Sequence, residues 1–157
     1  SQLETLQGLV RRDAAKNKDA LLIMSMTGFD AYGALLLAAS IDGIGRFNGP
    51  KHLVSFLGLC PTTYQSGQRI THGRMKKDRD GALTHTMMNA AMVAKQHDEH
   101  IAAIYEGYAK RHPPLIARSH VANIMATYIY FMLKNGEPYR HANDRLYQSK
   151  LDRLKTS

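Results

Sequence analysis

Apolar residues recur along most of this chain at intervals of three and four, the spacing that places side chains on one face of an α-helix. The first such stripe contains Leu3, Leu6 and Val10. Further stripes lie within residues 31–40, 53–57, 83–94, 101–108 and 115–135, and a more polar one lies between 146 and 154. No stretch of any length alternates apolar and polar residues as a half-buried strand does. The pattern therefore predicts an all-α fold.

Residues that favour helix ends separate the stripes. Asp19 is placed to cap a short helix through Ile23, and Asp30 to cap the helix that follows it. Gly136 and Pro138 end the longest stripe. We therefore expect short connections between helices, with one exception in the middle of the chain.

That exception is the basic segment, residues 61–79, which carries no helical stripe. Its glycine, serine and threonine content predicts a basic loop, or a small hairpin that turns at Ser66-Gly67. A serine beside a glycine is sterically open, and clustered cations stabilise the charge that builds on a phosphoryl group under attack. Ser66 is therefore a candidate nucleophile. The cations of the segment are Arg69, Arg74, Lys76, Lys77 and Arg79.

A plainer interpretation of the basic segment stays open. In it, Ser66 only turns the loop, and the cations bind a nucleic-acid backbone or keep the loop hydrated. The residues alone favour this interpretation over catalysis.

The charge of the chain favours a polyanionic partner. Lys and Arg number 21 against 13 Asp and Glu, for a formal net charge of +8. Such an excess is typical of proteins that bind nucleic acid or another acidic surface. The single cysteine, Cys60, excludes a disulfide framework and a thiolate zinc site and favours a reducing compartment. No apolar run approaches the ~20 residues that a membrane-spanning helix needs, and the first residues are not typical of a secretion signal.

Two other patterns are candidates for a site. The connection 27–30, which contains Gly28, and the Gly-Ile-Gly at 43–45 could let backbone N–H groups approach a phosphate, although glycines that merely join helices are more common. The run from His97 to His100 places two histidines three residues apart, where they can share a helix face. Asp98 fits a helix cap better than a metal ligand and no further ligand is evident, so we predict no metal site in this chain.

Five blocks of sequence, in this order and spacing, resemble the C-terminal, serine-bearing domain of insertion-sequence transposases whose N-terminal domain is an acidic (DEDD) RNase H-like domain. The third block is the Gln-Ser-Gly that contains Ser66, and the last ends in Lys-Asn-Gly-Glu-Pro-Tyr. The blocks are residues 21–41, 44–61, 65–67, 73–83 and 130–139.

The resemblance implies a helical domain with a helix-hairpin-helix element and a role in DNA recombination. It makes Ser66 the nucleophile that forms a covalent link to DNA. It implies no cofactor in this chain, with Mg²⁺ held by the acidic domain, and the expected partners are DNA, a structured guide RNA and further copies of the full-length protein. The expected location is the prokaryotic cytoplasm, at the nucleoid. The residues expected to contact nucleic acid are Gly28, Arg69, Arg74, Lys76, Lys77 and Arg79.

The resemblance also suggests a division of the chain. Residues 1–19 are expected to be the end of a helical linker or coiled coil from an N-terminal domain, 20–140 the transposase domain, and 141–157 a polar tail or helix. Two other functions stay open: a non-catalytic helix-hairpin-helix-type module that binds nucleic acid, and a dimerisation domain that uses Leu3, Leu6 and Val10.

Overall fold

The computed structural model describes residues 1–59 and 81–155, and every regular element in these ranges is helical. A 3₁₀ turn at Ile44–Arg46 leads into the fourth α-helix. The α-helices are α1 (Gln2–Lys16), α2 (Lys18–Met24), α3 (Ala31–Ile41), α4 (Pro50–Phe56), α5 (Ala82–His97), α6 (Glu99–Ala109), α7 (Pro114–Asn135) and α8 (Asp144–Leu154). The described ranges contain no strand, which confirms the all-α prediction. None of the described helices is both long and apolar enough to cross a membrane.

The centre of the fold is α7. It packs against α2, α4, α5 and α6, and its buried residues run from Ala117 to Leu133. Because it has several neighbours, the buried residues of this helix spread beyond the one stripe that the sequence predicts within residues 115–135. Ala122, Met125 and Ala126 are fully buried, so the middle of this helix lies in the core.

Side-chain caps fix where α2 and α3 begin. The Asp30 carboxylate accepts a hydrogen bond from the Gly33 N–H at 3.0 Å, which confirms the predicted start of α3. The expected cap of α2 by Asp19 is wrong, because Asn17 Oδ1 accepts a hydrogen bond from the Ala20 N–H at 2.9 Å. Asp19 instead lies within the first turn, where its charge is favourable near the positive end of the helix dipole.

The first and last described helices both pack on the rest of the fold. α1 contacts α2, α3 and α8, and it buries Ala14 while Leu3 and Leu6 stay exposed. α8 begins at the cap residue Asn143, whose Oδ1 accepts a hydrogen bond from the Leu146 N–H at 3.1 Å. The division of the chain at residues 19 and 140 stays a prediction.

Candidate nucleic-acid interface

The predicted nucleophile and all the predicted cations lie outside the described residues. They fall between Leu59 and Gly81, and their roles stay predictions. The residues concerned are Ser66, Arg69, Arg74, Lys76, Lys77 and Arg79.

Hydrogen bonds hold the framework on either side of residues 60–80. The Leu59 N–H donates a hydrogen bond to the Val54 carbonyl at 3.1 Å, and the Leu59 side chain is buried. Where the described chain resumes, the Thr84 hydroxyl donates a hydrogen bond to the Leu57 carbonyl at 2.8 Å. This contact fixes the end of α4 against the start of α5. The segment that contains Ser66 therefore leaves and rejoins the described fold at adjacent points.

Gly28 is the one predicted nucleic-acid-binding residue within the described ranges. It lies in the connection between α2 and α3, which pack against each other. Its φ of +106° belongs to the region that glycine adopts readily and other residues do not. A Cβ at this position would lie 2.4 Å from the carbonyl oxygen of Ala90 in α5. Gly28 is therefore needed for the close approach of α5, and its contact with nucleic acid stays a prediction.

An open groove of about 910 Å³ lies beside Gly28 and is lined by α5 and α8; we call it the α5–α8 groove. From α5 it receives four side chains at four-residue intervals, the spacing that aligns them along one helix face. These are His85, Asn89, Val93 and His97. Tyr32 of α3 also lines the groove, and α8 adds Arg145, Leu146, Ser149 and Lys150. The groove therefore combines residues from the middle of the chain with residues from its polar tail.

Lys150 is buried although it is charged. Its Nζ donates hydrogen bonds to the carbonyls of Met24 at 3.0 Å and Met26 at 3.1 Å, at the end of α2. Carbonyls at a helix end carry partial negative charge, which partly offsets the cost of burying an ammonium group. Burial lowers the pKa of Lys150 to about 8; Arg153 adds to this lowering, and Asp30 opposes it.

Sequence reasoning did not identify Lys150, although the sequence carries a signal for it. Lys150 is four residues from Leu146 and four from Leu154, so a cation interrupts the apolar stripe of a polar helix. A cation in that position indicates a buried charge with specific acceptors.

The pKa of Lys150 predicts that stability rises as the solution becomes alkaline. Between pH 8 and about pH 10.5 the unfolded chain binds more protons than the folded one, so the free energy of unfolding increases with pH. We expect a gain of about 1–2 kcal/mol from pH 7.5 to 9.5, measured by urea denaturation. Above pH 10 the raised pKa values of Tyr128, Tyr139 and Tyr147 reverse the slope, because their unfolded forms lose protons first.

The variant Lys150→Met is the control for this prediction. It keeps the length of the side chain but removes the titrating group, so the rise between pH 7.5 and 9.5 should largely disappear. An unchanged slope in Lys150→Met would show that another group produces the pH dependence.

The last sequence block fixes the turn after α7 to two distant parts of the fold. The Tyr139 hydroxyl donates a hydrogen bond to Asp98 Oδ2 at 2.7 Å, and the Tyr139 N–H donates one to Ser25 Oγ at 2.8 Å. Asp98 Oδ1 accepts a hydrogen bond from the Ile101 N–H and caps α6. Burial and the Asp98 carboxylate together hold the pKa of Tyr139 well above its usual range. Tyr139 in this block thus joins the turn after α7 to the end of α2 and to the start of α6.

These contacts also account for Asp98 and His100 of the histidine run. Both carboxylate oxygens of Asp98 accept hydrogen bonds from the protein, and the Nε2 atom of His100 lies 2.9 Å from the Tyr128 hydroxyl. Within residues 1–59 and 81–155, no group of three or more His, Cys, Asp or Glu side chains could hold a metal ion.

Arg46, in the second sequence block, is used inside the fold. Its guanidinium donates hydrogen bonds to the carbonyls of Ile41 at 2.7 Å and Ser40 at 3.0 Å, at the end of α3. The same group lies over the rings of Phe47 and Phe56, 4.6 and 5.0 Å from their centres. These contacts account for an arginine here without any contact to nucleic acid.

Comparison with known proteins assigns the chain to a family. A model described as the transposase IS116/IS110/IS902 family matches residues 20–106, more than half of the chain. The matched range runs from α2 into α6 and includes Gly28 and the basic segment, whereas α8 lies outside it. No curated protein and no solved structure gives a significant match. The chain therefore belongs to the IS116/IS110/IS902 family of transposases.

Proposed function

We propose that this chain binds DNA as part of a transposase and supplies Ser66 as the nucleophile for strand cleavage and exchange. The supporting observation is the family match, which spans the basic segment together with the helices on both sides of it. Membership in this family implies a transposase-type function and a DNA partner. The Gln-Ser-Gly block within the matched range indicates which serine carries the chemistry.

In the proposed reaction, the Oγ atom of Ser66 forms a bond to a backbone phosphorus and one phosphorus–oxygen ester bond breaks. Ser66 loses its proton and the leaving oxygen of the cut strand gains one. A hydroxyl group of a second strand then attacks the same phosphorus, which joins the strands and restores Ser66. Arg69, Arg74 and Lys77 stabilise the charge on the non-bridging oxygens, while Lys76 and Arg79 hold the backbone.

In this proposal other parts of the machinery come from outside the chain. An acidic domain holds the Mg²⁺ that assists the phosphoryl chemistry, so we expect this chain alone to be inactive in strand exchange. A structured guide RNA selects the target, the full-length protein is a homo-oligomer, and the reaction takes place at the prokaryotic nucleoid. The connection around Gly28, read as part of a helix-hairpin-helix element, contacts the backbone of DNA or guide RNA through main-chain groups.

The framework on either side of residues 60–80 suits such a role. A nucleophile must be held in position against the scissile phosphate. The hydrogen bond between Thr84 and Leu57 joins the two points where the segment leaves and rejoins the described fold. Since α4 and α5 both pack on α7, these points rest on the core.

Salt-dependent DNA binding tests the binding half of the proposal. We expect affinity for duplex DNA to fall steeply with salt, because bound cations displace counterions from the phosphates. The double variant Lys76→Ala/Lys77→Ala should reduce the slope of log affinity against log salt concentration by about 2. The measurement is fluorescence anisotropy of a labelled duplex from 50 to 300 mM salt, roughly the range over which such binding changes most.

The matched control is Lys110→Ala/Arg111→Ala, which removes an adjacent pair of exposed cations from the end of α6. This control should leave the slope unchanged. Equal slopes in the wild type and the Lys76/Lys77 variant would contradict a role for the basic segment in binding. The alternative function, a module that binds nucleic acid without cutting it, predicts the same binding result but no strand joining.

A further inference from the structure

We propose that the α5–α8 groove binds a short unpaired stretch of a nucleic-acid strand. This inference rests on the proposed function, since it assumes a nucleic-acid partner, but it concerns residues outside the basic segment. The α8 side of the groove lies beyond the residues that the family model matches. The proposal therefore gives the polar tail of the chain a binding role.

The groove offers apolar faces against which unpaired bases can stack. Tyr32, Val93 and Leu146 line it, and they come from three different helices. All three are exposed, with Tyr32 at 62%. Exposed apolar side chains are usually scattered, so the convergence of three of them on one groove indicates a binding site for a ligand with apolar surfaces. Aromatic and apolar side chains that hold unpaired bases are the usual means by which proteins bind single strands.

Hydrogen-bonding groups accompany these apolar residues. Asn89 Nδ2 lies 3.0 Å from the Nε2 atom of His85, so the two side chains form a fixed pair along one face of α5. His97 and Asn143 line the same groove. Amide and imidazole groups can donate to and accept from the edges of bases, which a purely apolar partner cannot use.

The charges that line the groove favour a phosphate backbone. Arg145 is exposed on α8, and Lys150 adds a second cation below the surface. Asp30 is the one acidic side chain among the described residues that line the groove, and its Oδ1 is already the acceptor that caps α3. The net charge of the side chains that line the groove is thus positive, and the chain as a whole is strongly basic.

The shape of the groove selects an unpaired strand over a duplex. A duplex exposes its base edges only within its own grooves, which are read by an element that protrudes from the protein. A concave surface can instead hold bases that have left the stack. The row from His85 to His97 extends about 18 Å at the rise of an α-helix, enough for a few nucleotides.

The test uses the full chain and fluorescein-labelled 12-nucleotide single strands of mixed sequence, one of DNA and one of RNA. Tyr32→Ala should weaken binding about 5- to 100-fold, the range seen when one stacking platform is removed. Tyr32→Phe keeps the ring and should bind within about twofold of the wild type. The same strand with abasic sites should bind as weakly to the wild type as the intact strand binds to Tyr32→Ala. The DNA and RNA arms show which strand the groove prefers.

Leu115→Ala is the matched control, because Leu115 is as exposed as Tyr32 but lies at the start of α7, away from the groove. It should bind normally. Equal binding of Tyr32→Ala and the wild type, or of intact and abasic strands, would overturn the inference. The catalytic proposal is tested separately, in a transposase that combines this chain with its acidic domain, Mg²⁺ and guide RNA. No Ser66 link to DNA there, with strands that carry bases still preferred by the chain, would refute only the catalytic proposal. A Ser66 link without that preference would refute only the groove.

Discussion

Replacing Ser66 with alanine is expected to lower the rate of strand joining at least about 10³-fold, while the affinity for DNA changes by less than about twofold. The hydroxyl oxygen forms the covalent bond to phosphorus in our proposal, and alanine has no group that can replace it. The cations that hold the DNA backbone remain in the variant. The measurement is joining of labelled strands by a transposase that combines this chain with its acidic domain, Mg²⁺ and guide RNA.

Ser55→Ala is the matched control, since Ser55 is an exposed serine on α4, a few residues before the basic segment. This variant should join strands at the wild-type rate. Strand joining by Ser66→Ala at a tenth of the wild-type rate or more would contradict the assignment of Ser66 as the nucleophile. Loss of both joining and binding would point to a structural role for Ser66 in the basic segment.

Gly28→Ala should have the largest effect on stability, a loss of about 3–5 kcal/mol in the free energy of unfolding. Two causes act together. The φ of +106° is costly for alanine, and the new Cβ would meet the backbone oxygen of Ala90 at 2.4 Å. Because that atom belongs to the backbone of α5, α5 or the connection 27–30 must shift to relieve the contact. The measurement is urea or thermal denaturation followed by circular dichroism.

Gly43→Ala separates the two causes. Gly43 has a similar φ of +97°, but a Cβ there would meet no atom within 4 Å. We expect it to lose only about 1–2 kcal/mol, from backbone strain alone. Equal losses in the two variants would show that the close approach to α5 contributes nothing. If Gly28→Ala folds as stably as the wild type but binds DNA poorly, Gly28 acts through nucleic acid and not through packing.

The helices could be predicted from sequence because local rules determine them. Asp30 and Asp98 each cap a helix by accepting a hydrogen bond from the residue three positions later, a pattern visible in the sequence. Gly136 ends α7 in the left-handed conformation that favours glycine. The error at Asp19 is also local: Asn17 competes for the same role, and only the backbone conformation decides between them.

The contacts that assemble the fold could not be predicted in this way. Tyr139 joins Ser25 and Asp98, which are 114 and 41 residues away, and no periodic pattern connects them. Lys150 reaches the end of α2 across more than 120 residues. Such pairs depend on how the helices pack around α7, which single-sequence rules do not specify.

The residues of the candidate site differ in the same way: some are indicated by local sequence, and others only by how the helices pack. The resemblance assigns Ser66 its role because Gln-Ser-Gly is one of the five blocks, whereas the cations were predicted from the composition of the basic segment. All of these roles stay predictions. The α5–α8 groove had no such signature, since it draws on three helices that are distant in sequence. The four-residue spacing from His85 to His97 was present in the sequence, but only the position of α8 beside it reveals a groove.

The most direct test of the central claim is peptide mass spectrometry of the protein–DNA adduct. The reaction contains this chain with its acidic domain, Mg²⁺, guide RNA and labelled transposon-end DNA, and it is stopped before strand exchange is complete. We predict a nucleotide covalently attached to the peptide that contains Ser66, present in Ser55→Ala and absent in Ser66→Ala. Strand joining without any adduct on that peptide would contradict the account.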